Sequence, residues 1–111
     1  QSITEAVYAD DSIKKYIAAI TVATRAPKKY LPAELAEYIR MGASPRSSIA
    51  FLKASKAVAL LNGRMYVTPD DVKMLRYAIL RHRIALNYSA YADRVPVEQL
   101  IDKLFAAIPT P

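Results

Sequence analysis

The segment from Ser44 to Gly63 constrains the fold more strongly than any other part of this 111-residue sequence. Ser44 and Pro45 are typical of the N-cap and first positions of a helix, and Asn62-Gly63 is typical of a helix end. A helix that is apolar nearly all round is expected at the centre of a domain, with neighbours on several sides. The apolar residues of this segment are Ile49, Ala50, Phe51, Leu52, Ala54, Ala57, Val58, Ala59, Leu60 and Leu61.

An amphipathic helix is predicted ahead of this segment. It begins at Asp10 or Asp11, both good N-terminal residues, and ends near Arg25 because Pro27 disfavours helical backbone in the residue before it. The expected buried stripe consists of Ile13, Tyr16, Ile17, Ile20 and Thr24.

Two more helices are predicted in the second half of the chain. One begins at Thr68, which would cap it together with Asp71 in a capping box, and the last begins around Pro96. Their expected apolar stripes are Val72, Leu75, Ile79 and His82 in the first, and Val97, Leu100, Ile101, Leu104 and Ile108 in the second.

The connecting segments complete the fold prediction. Residues 26–30 form a basic loop, Pro32 begins one helical turn, and residues 38–41 are either helical or extended. Residues 85–95, rich in Asn, Ser, Tyr and Ala, are interpreted as a long connection. Because no alternating segment is long enough for a sheet strand, we predict an all-α bundle of four to five helices. Residues 1–111 then form a single domain.

Charge and composition narrow the functional classes. The formal net charge is +6, and it is uneven: residues 14–83 hold fourteen Lys/Arg and four Asp/Glu, whereas the rest holds two and six. This basic middle indicates either an anionic partner or a solvated surface. No apolar run reaches the ~20 residues that span a bilayer, and no signal peptide is visible. We expect a cytoplasmic protein. The lack of an initiator Met suggests a piece of a longer chain.

Catalytic sites are not expected within this sequence. There is no cysteine, and the single His82 cannot build a multi-histidine metal site, so we expect it to be a hydrogen-bonded core residue. With two glycines in all, the chain lacks the Gly-rich loop and Lys-Ser/Thr pair that hold phosphates in P-loop enzymes. The chain should not hydrolyse a nucleotide by itself.

The sequence Gly42-Ala43-Ser44-Pro45-Arg46 is the strongest candidate for a binding function. It would place an arginine in the first turn of the long helix, where free N–H groups and the helix dipole favour anions. A guanidinium on a rigid mount can bind phosphate oxygens through two parallel hydrogen bonds. The alternative is an ordinary helix start with a solvent-facing arginine.

The sequence as a whole resembles the C-terminal lid of MoxR-type AAA+ ATPases. The resemblance covers about residues 7–108. It rests on four motifs in order: Ala23-Thr24-Arg25, Gly42-Ala43-Ser44-Pro45-Arg46, Gly63-Arg64-Met65-Tyr66-Val67-Thr68-Pro69-Asp70-Asp71-Val72 and Leu80-Arg81-His82-Arg83-Ile84. It implies a helical lid that follows a nucleotide-binding α/β domain absent from this sequence.

The resemblance also implies roles for particular residues. Arg46 corresponds to the sensor 2 arginine, which is expected to reach the γ-phosphate of ATP, in cis or in trans. Arg25, Arg64, Arg81 and Arg83 are candidates for secondary contacts with the nucleotide or a neighbouring subunit. ATP and Mg²⁺ are the cofactors implied for the full-length protein. The implied partners are the core domain, neighbouring protomers of a ring that would be hexameric, and an unknown client protein.

The alternative function is that of a basic helical DNA-binding module. The long apolar helix and the connection after Gly63 are also similar to histone-fold proteins, and eight tyrosines could contact nucleic acid. However, the basic residues are dispersed, and no single helix carries several base-reading side chains. No specific nucleic-acid partner is therefore expected.

Overall fold

The computed structural model describes residues 3–111, and helices dominate it. The α-helices and strands follow in the order α1 (Asp11–Arg25), α2 (Ala33–Ala36), β1 (Ile39–Met41), α3 (Arg46–Leu61), α4 (Pro69–Met74), α5 (Arg76–Leu80), β2 (Ala85–Leu86), α6 (Tyr88–Ala92) and α7 (Val97–Ala107). Two short 3₁₀ segments, Ile3–Ala6 and Pro27–Lys29, precede and follow α1. The all-α prediction is confirmed at the level of fold class.

Helix α1 agrees with its prediction. The Asp10 side chain accepts a hydrogen bond from the amide of Ser12, which makes Asp10 the N-cap, and the helix ends at Arg25. All five residues of the predicted stripe are buried. The core beneath the stripe includes Phe105 of α7, whose ring lies edge-on to Tyr16 at 6.3 Å between centroids, and Phe51 of α3, 6.5 Å from Phe105.

The start of α3 differs from the prediction by one residue. Pro45 occupies the capping position and no side-chain cap bond is present, so the prediction of Ser44 as a side-chain N-cap is wrong. Pro45 already has helical angles, φ −57° and ψ −23°, and the Ser44 carbonyl accepts the amide of Ser47 at 2.9 Å. Ser44 therefore contributes its backbone to the helix start. The predicted end at Asn62-Gly63 is confirmed, with Gly63 at φ +74°.

Helix α3 is central, as predicted, because α1, α4, α5 and the segment Ile3–Ala6 all pack against it. Its fully buried residues, Ser47, Phe51, Ser55 and Ala59, recur every four positions and form a single row. On other faces Ile49 is 58% exposed and Leu61 is 86% exposed. The other apolar residues of α3 outside the row are half-buried.

The helix predicted after Thr68 is capped as expected but is shorter. Thr68 and Asp71 form the predicted capping box. The helix is interrupted at Leu75, which has φ −93° and ψ 0°, and α5 ends at Leu80. His82 consequently lies beyond the helix and is exposed. The prediction of a buried, hydrogen-bonded histidine is wrong, because it assumed one uninterrupted helical period.

A small antiparallel sheet joins residues 39–41 to the beginning of the segment that was predicted to be a long connection. Strand β1 pairs Ile39 with Leu86 and Met41 with Ala85, so the open choice for residues 38–41 is decided in favour of extended structure. The predicted connection 85–95 contains β2 and the one-turn helix α6, which the Asn87 side chain caps. Strands of two or three residues have no detectable periodicity, and they form here only because distant segments pair.

Two glycines occupy different kinds of position. A Cβ on Gly42 would overlap the carbonyl of Thr24 and lie 2.7 Å from the amide nitrogen of Arg25. Gly42 is therefore needed because the loop touches the backbone of α1. A Cβ on Gly63 would meet nothing within 4 Å, and only its left-handed backbone favours glycine there.

A buried ion pair fixes the connection between α3 and α4. Asp71 is 2% exposed, and its two oxygens accept hydrogen bonds from Arg64 at 2.7 and 2.9 Å. The same carboxylate accepts the Thr68 amide at 2.8 Å. Burial alone would raise the pKa of Asp71, but the hydrogen bonds from Arg64 and Thr68 outweigh it and hold the pKa below its ordinary value of 3.8.

We predict that Asp71→Asn lowers the free energy of unfolding by about 2 kcal/mol at neutral pH, since it removes a charge-assisted pair and half of a capping box. The folded-state pKa of Asp71 is depressed, so its contribution is present above the ordinary aspartate pKa and is lost as the pH falls through the lower folded value. In urea denaturation, the difference in the free energy of unfolding between wild type and variant should therefore become smaller in acid.

As a control, Asp102→Asn breaks an exposed pair with Arg76 and should cost less than about 1 kcal/mol. Equal costs for the two variants would contradict this account.

The two glycines should respond differently to alanine. Gly63→Ala should cost about 1 kcal/mol, from the left-handed backbone alone. Gly42→Ala should cost about 3 kcal/mol, because overpacking against backbone cannot be relieved by a side-chain rotation. Urea midpoints at constant slope provide the comparison, and a Gly42→Ala variant as stable as Gly63→Ala would be inconsistent with the close approach.

Candidate functional site

Arg46 is the first residue of α3 and its side chain is exposed. Among residues 3–111 the Arg46 guanidinium has no hydrogen-bond or salt-bridge partner. The amides of Ser47 and Ser48 are bonded to the carbonyls of Ser44 and Pro45 at 2.9 and 3.1 Å. The guanidinium of Arg46, rather than those two amides, is thus the group available to an anion at this helix start.

The loop that carries Arg46 is fastened to the C-terminal turn of α1. The Thr24 hydroxyl accepts the amide of Ala43 at 3.0 Å, and a guanidinium nitrogen of Arg25 donates to the Ala43 carbonyl at 3.4 Å. Thr21, one turn before Thr24 in α1, forms a second link: its hydroxyl is hydrogen-bonded to the hydroxyl of Ser48 in α3 at 2.9 Å. These contacts flank Arg46 on both sides in sequence, so the helix start is rigidly mounted on α1.

Arg25 is the one secondary candidate that a hydrogen bond joins to this loop among the described residues. Its side chain is exposed at the end of α1, next to the basic residues Lys28 and Lys29. A surface cavity of about 510 Å³ adjoins Arg25, Lys28 and Lys29 and extends to Ile39. The structure therefore brings Arg25 together with the segment Gly42–Arg46.

Arg64 lies at the opposite end of α3, which at 16 residues is about 24 Å long. Besides Asp71 it bonds the carbonyl of Tyr66 at 3.0 Å, and its guanidinium stands 5.6 Å from the centroid of the Tyr66 ring. The hydrogen bond to Asp71 is the main reason that the pKa of Arg64 lies above its ordinary value. Its contacts are those of a structural residue.

Arg81 and Arg83 follow α5 and also make contacts within the domain. Arg81 pairs with Glu98 at 2.6 Å and lies 5.7 Å from the centroid of the Tyr77 ring. Arg83 donates to the Ile79 carbonyl at 2.7 Å. Within residues 3–111, neither arginine hydrogen-bonds to the segment 42–46.

Thr24 is a part of this site that the sequence did not single out for a role. It was assigned to the apolar stripe of α1, where it is indeed fully buried. A hydroxyl residue on an otherwise apolar stripe was the available signal, because a buried hydroxyl needs hydrogen-bond partners. The sequence could not indicate that the partner lies 19 residues away in the chain.

The described residues, 3–111, contain neither a metal-binding cluster nor a membrane-spanning helix. In the part of the chain that the structure describes, no group of three or more His, Cys, Asp or Glu residues could hold a metal ion. No helix within residues 3–111 combines the length and apolarity needed to cross a bilayer.

The family model and the related proteins that match this chain point to the same family. The model of the AAA lid domain family matches residues 33–104. Chaperone MoxR1 of Mycobacterium tuberculosis is 32% identical over 111 residues, which are 100% of this chain and 29% of that protein. Protein MoxR of Paracoccus denitrificans is 34% identical over 115 residues, covering 98% of this chain and 34% of that protein.

A solved structure shares the fold. The crystal structure of a candidate ATPase from Cytophaga hutchinsonii superposes with a TM-score of 0.93 and is 38% identical. The match covers 97% of this chain and 33% of that one, so the chain spans about a third of the length of these relatives. Because the family model matches well over half of the chain, the chain belongs to the AAA lid domain family and is a lid of the MoxR type of AAA+ ATPase.

Proposed function

We propose that this domain supplies a sensor 2 arginine, Arg46, to ATP bound by the remainder of its parent protein. The observation that carries the proposal is an exposed guanidinium without a partner among residues 3–111, on a helix start fastened to α1. Gly42, Ser44 and Pro45 build that helix start. Nucleotide contact would couple the phosphate state to the orientation of the lid.

The physical basis is the difference between ATP and ADP at one guanidinium. A phosphate charge ~4 Å from Arg46 interacts by about 4 kcal/mol at an effective dielectric constant of about 20, before desolvation is subtracted. Loss of the γ-phosphate removes much of that attraction. A ligand shifts a conformational equilibrium only through such differential affinity. ATP would therefore favour the lid orientation in which Arg46 reaches the γ-phosphate, and hydrolysis would release it.

The remaining parts of the machinery are assigned to other regions of the parent protein. The lid by itself would not hydrolyse ATP, and the P-loop and Mg²⁺ ligands would belong to the α/β core domain. The assembly would be a cytoplasmic ring, hexameric in our proposal, which acts on a client protein in a chaperone-like or regulatory manner. Arg46 would contact the nucleotide of its own chain or that of a neighbouring protomer.

The secondary arginines separate into two groups under this proposal. Arg25 remains a candidate for a nucleotide or subunit contact, because it adjoins the Arg46 loop. Arg64 is better explained by its bond to Asp71, and Arg81 and Arg83 by their contacts with Glu98 and Ile79.

We predict that Arg46→Ala in the parent protein lowers ATP turnover about ten- to a hundredfold. This is less than the 10³–10⁵ attributed to arginine fingers, because a sensor acts mainly by positioning the lid. The variant should fold normally, since the side chain contributes no described contact. Arg46→Lys should rescue turnover only in part, because an ammonium lacks the planar fork.

The matched control is Lys53→Ala, which removes an exposed cation from the same helix. Its turnover should stay within about twofold of the wild-type rate, in line with the small effect of surface substitutions. Wild-type kcat and KM for Arg46→Ala would exclude the sensor role. Mixed assemblies would distinguish action in cis from action in trans. They would combine subunits that keep Arg46 but cannot bind nucleotide with subunits that bind nucleotide but carry Arg46→Ala. ATP turnover by such an assembly would indicate action in trans, and its absence action in cis.

The DNA-binding alternative makes a separate prediction for the isolated chain. Its basic residues should attract polyanions without reading sequence, so dissociation constants should lie at about 10⁻⁴ to 10⁻⁶ M at physiological salt and weaken steeply as salt is added. Fluorescence anisotropy with two unrelated duplexes would measure this. Submicromolar binding to one duplex and not to the other would favour the alternative over the lid function.

A further inference from the structure

We propose that Thr24 is a positioning residue for Arg46: its hydroxyl fixes the backbone of Ala43 and thereby the place where Arg46 leaves α3. The inference rests on the proposed sensor function of Arg46. In this proposal, the C-terminal turn of α1 holds Arg46 at the position from which its guanidinium reaches the nucleotide.

The Thr24 hydroxyl makes two hydrogen bonds. It donates to the Thr21 carbonyl at 2.7 Å and accepts the Ala43 amide at 3.0 Å. Thr24 and Ala43 are both 0% exposed, so this oxygen is the partner that the buried Ala43 amide has in place of water. The Ala43 carbonyl receives the guanidinium of Arg25, the next residue of α1. Consecutive residues of α1 therefore hold both polar groups of Ala43.

The loop between Ala43 and Arg46 has little freedom to absorb a displacement. Proline fixes φ of residue 45 near −57°, and the Ser44 carbonyl is bonded to the Ser47 amide. On the other side, Gly42 lies so close to the Thr24 carbonyl that no side chain fits. Movement of Ala43 would consequently move the first turn of α3, and Arg46 with it.

Packing alone does not account for a threonine at this position. Valine has nearly the same shape and the same branching at Cβ, and it would fill the apolar stripe without a hydroxyl to satisfy. What valine cannot do is accept the Ala43 amide. A misplacement of about 1 Å in a positioning element can reduce catalysis severalfold to a hundredfold, even far from the chemistry.

The test is a double-mutant cycle in the full-length ATPase. We expect Thr24→Val to lower kcat about fivefold, with KM for ATP changed less than about twofold. Thr24→Ser, which keeps the hydroxyl, should restore most of the rate. In the Arg46→Ala background, Thr24→Val should lower kcat by less than about twofold, because a positioning residue has no effect once the group it positions is absent. Ser55→Ala, a buried hydroxyl on α3 without a partner among residues 3–111, serves as the matched control and should leave kcat unchanged.

The outcomes are distinguishable. A fivefold loss from Thr24→Val in both backgrounds would show a general structural effect and overturn the inference. A wild-type kcat for Thr24→Val, beside a large loss for Arg46→Ala, would overturn this inference and leave the sensor function standing. A wild-type rate for Arg46→Ala would overturn both. If Thr24→Val does not fold, Thr24→Ala replaces it under the same criteria, since it removes the same acceptor and leaves space for water at the Ala43 amide.

Discussion

The packing of α1 against α3 is the contact on which the rest of the domain depends. The fully buried row of α3 contains the small residues Ser47, Ser55 and Ala59 together with Phe51, whose ring contacts Phe105 of α7. Close packing of this kind stabilises through many weak contacts and tolerates few changes in volume. Because α1 also ends against the loop 42–43, the same contact that builds the core sets the start of α3.

The arginines of the domain differ in whether a carboxylate neutralises their charge. Arg64 forms a salt bridge with the buried carboxylate of Asp71 and stabilises the junction of α3 and α4. Arg76 and Arg81 bind carboxylates of α7 at the surface, where salt and solvent weaken such pairs. Arg46 has no carboxylate partner within residues 3–111, and it differs from the other unpaired arginines in its place at the start of a long helix whose preceding loop is hydrogen-bonded to α1. That combination suits a residue whose partner arrives from outside the domain.

Helix signals carried by local chemistry were predictable. The Asp10 cap, the Thr68–Asp71 capping box and the Gly63 helix end each depend on side chains within a few residues, and all three are confirmed. Apart from the Ser44 cap, which the local backbone at Pro45 decides, the errors arose in the segments after α4 and in the small sheet. The break at Leu75 leaves His82 outside the helix and exposed. The pairing of β1 with β2 joins segments that are distant in sequence, so no local pattern encodes it.

The candidate site shows the same division. The sequence alone determined the family resemblance, the helical class and the arginine after Ser44-Pro45, because capping preferences and hydrophobic periodicity act over one or two turns of chain. Only the tertiary structure decided that Arg76 and Arg81 are neutralised by carboxylates of α7 and that Thr24 holds Ala43. Those outcomes depend on which segments meet in space. A hydrogen bond between residues 19 positions apart has no signature in local periodicity.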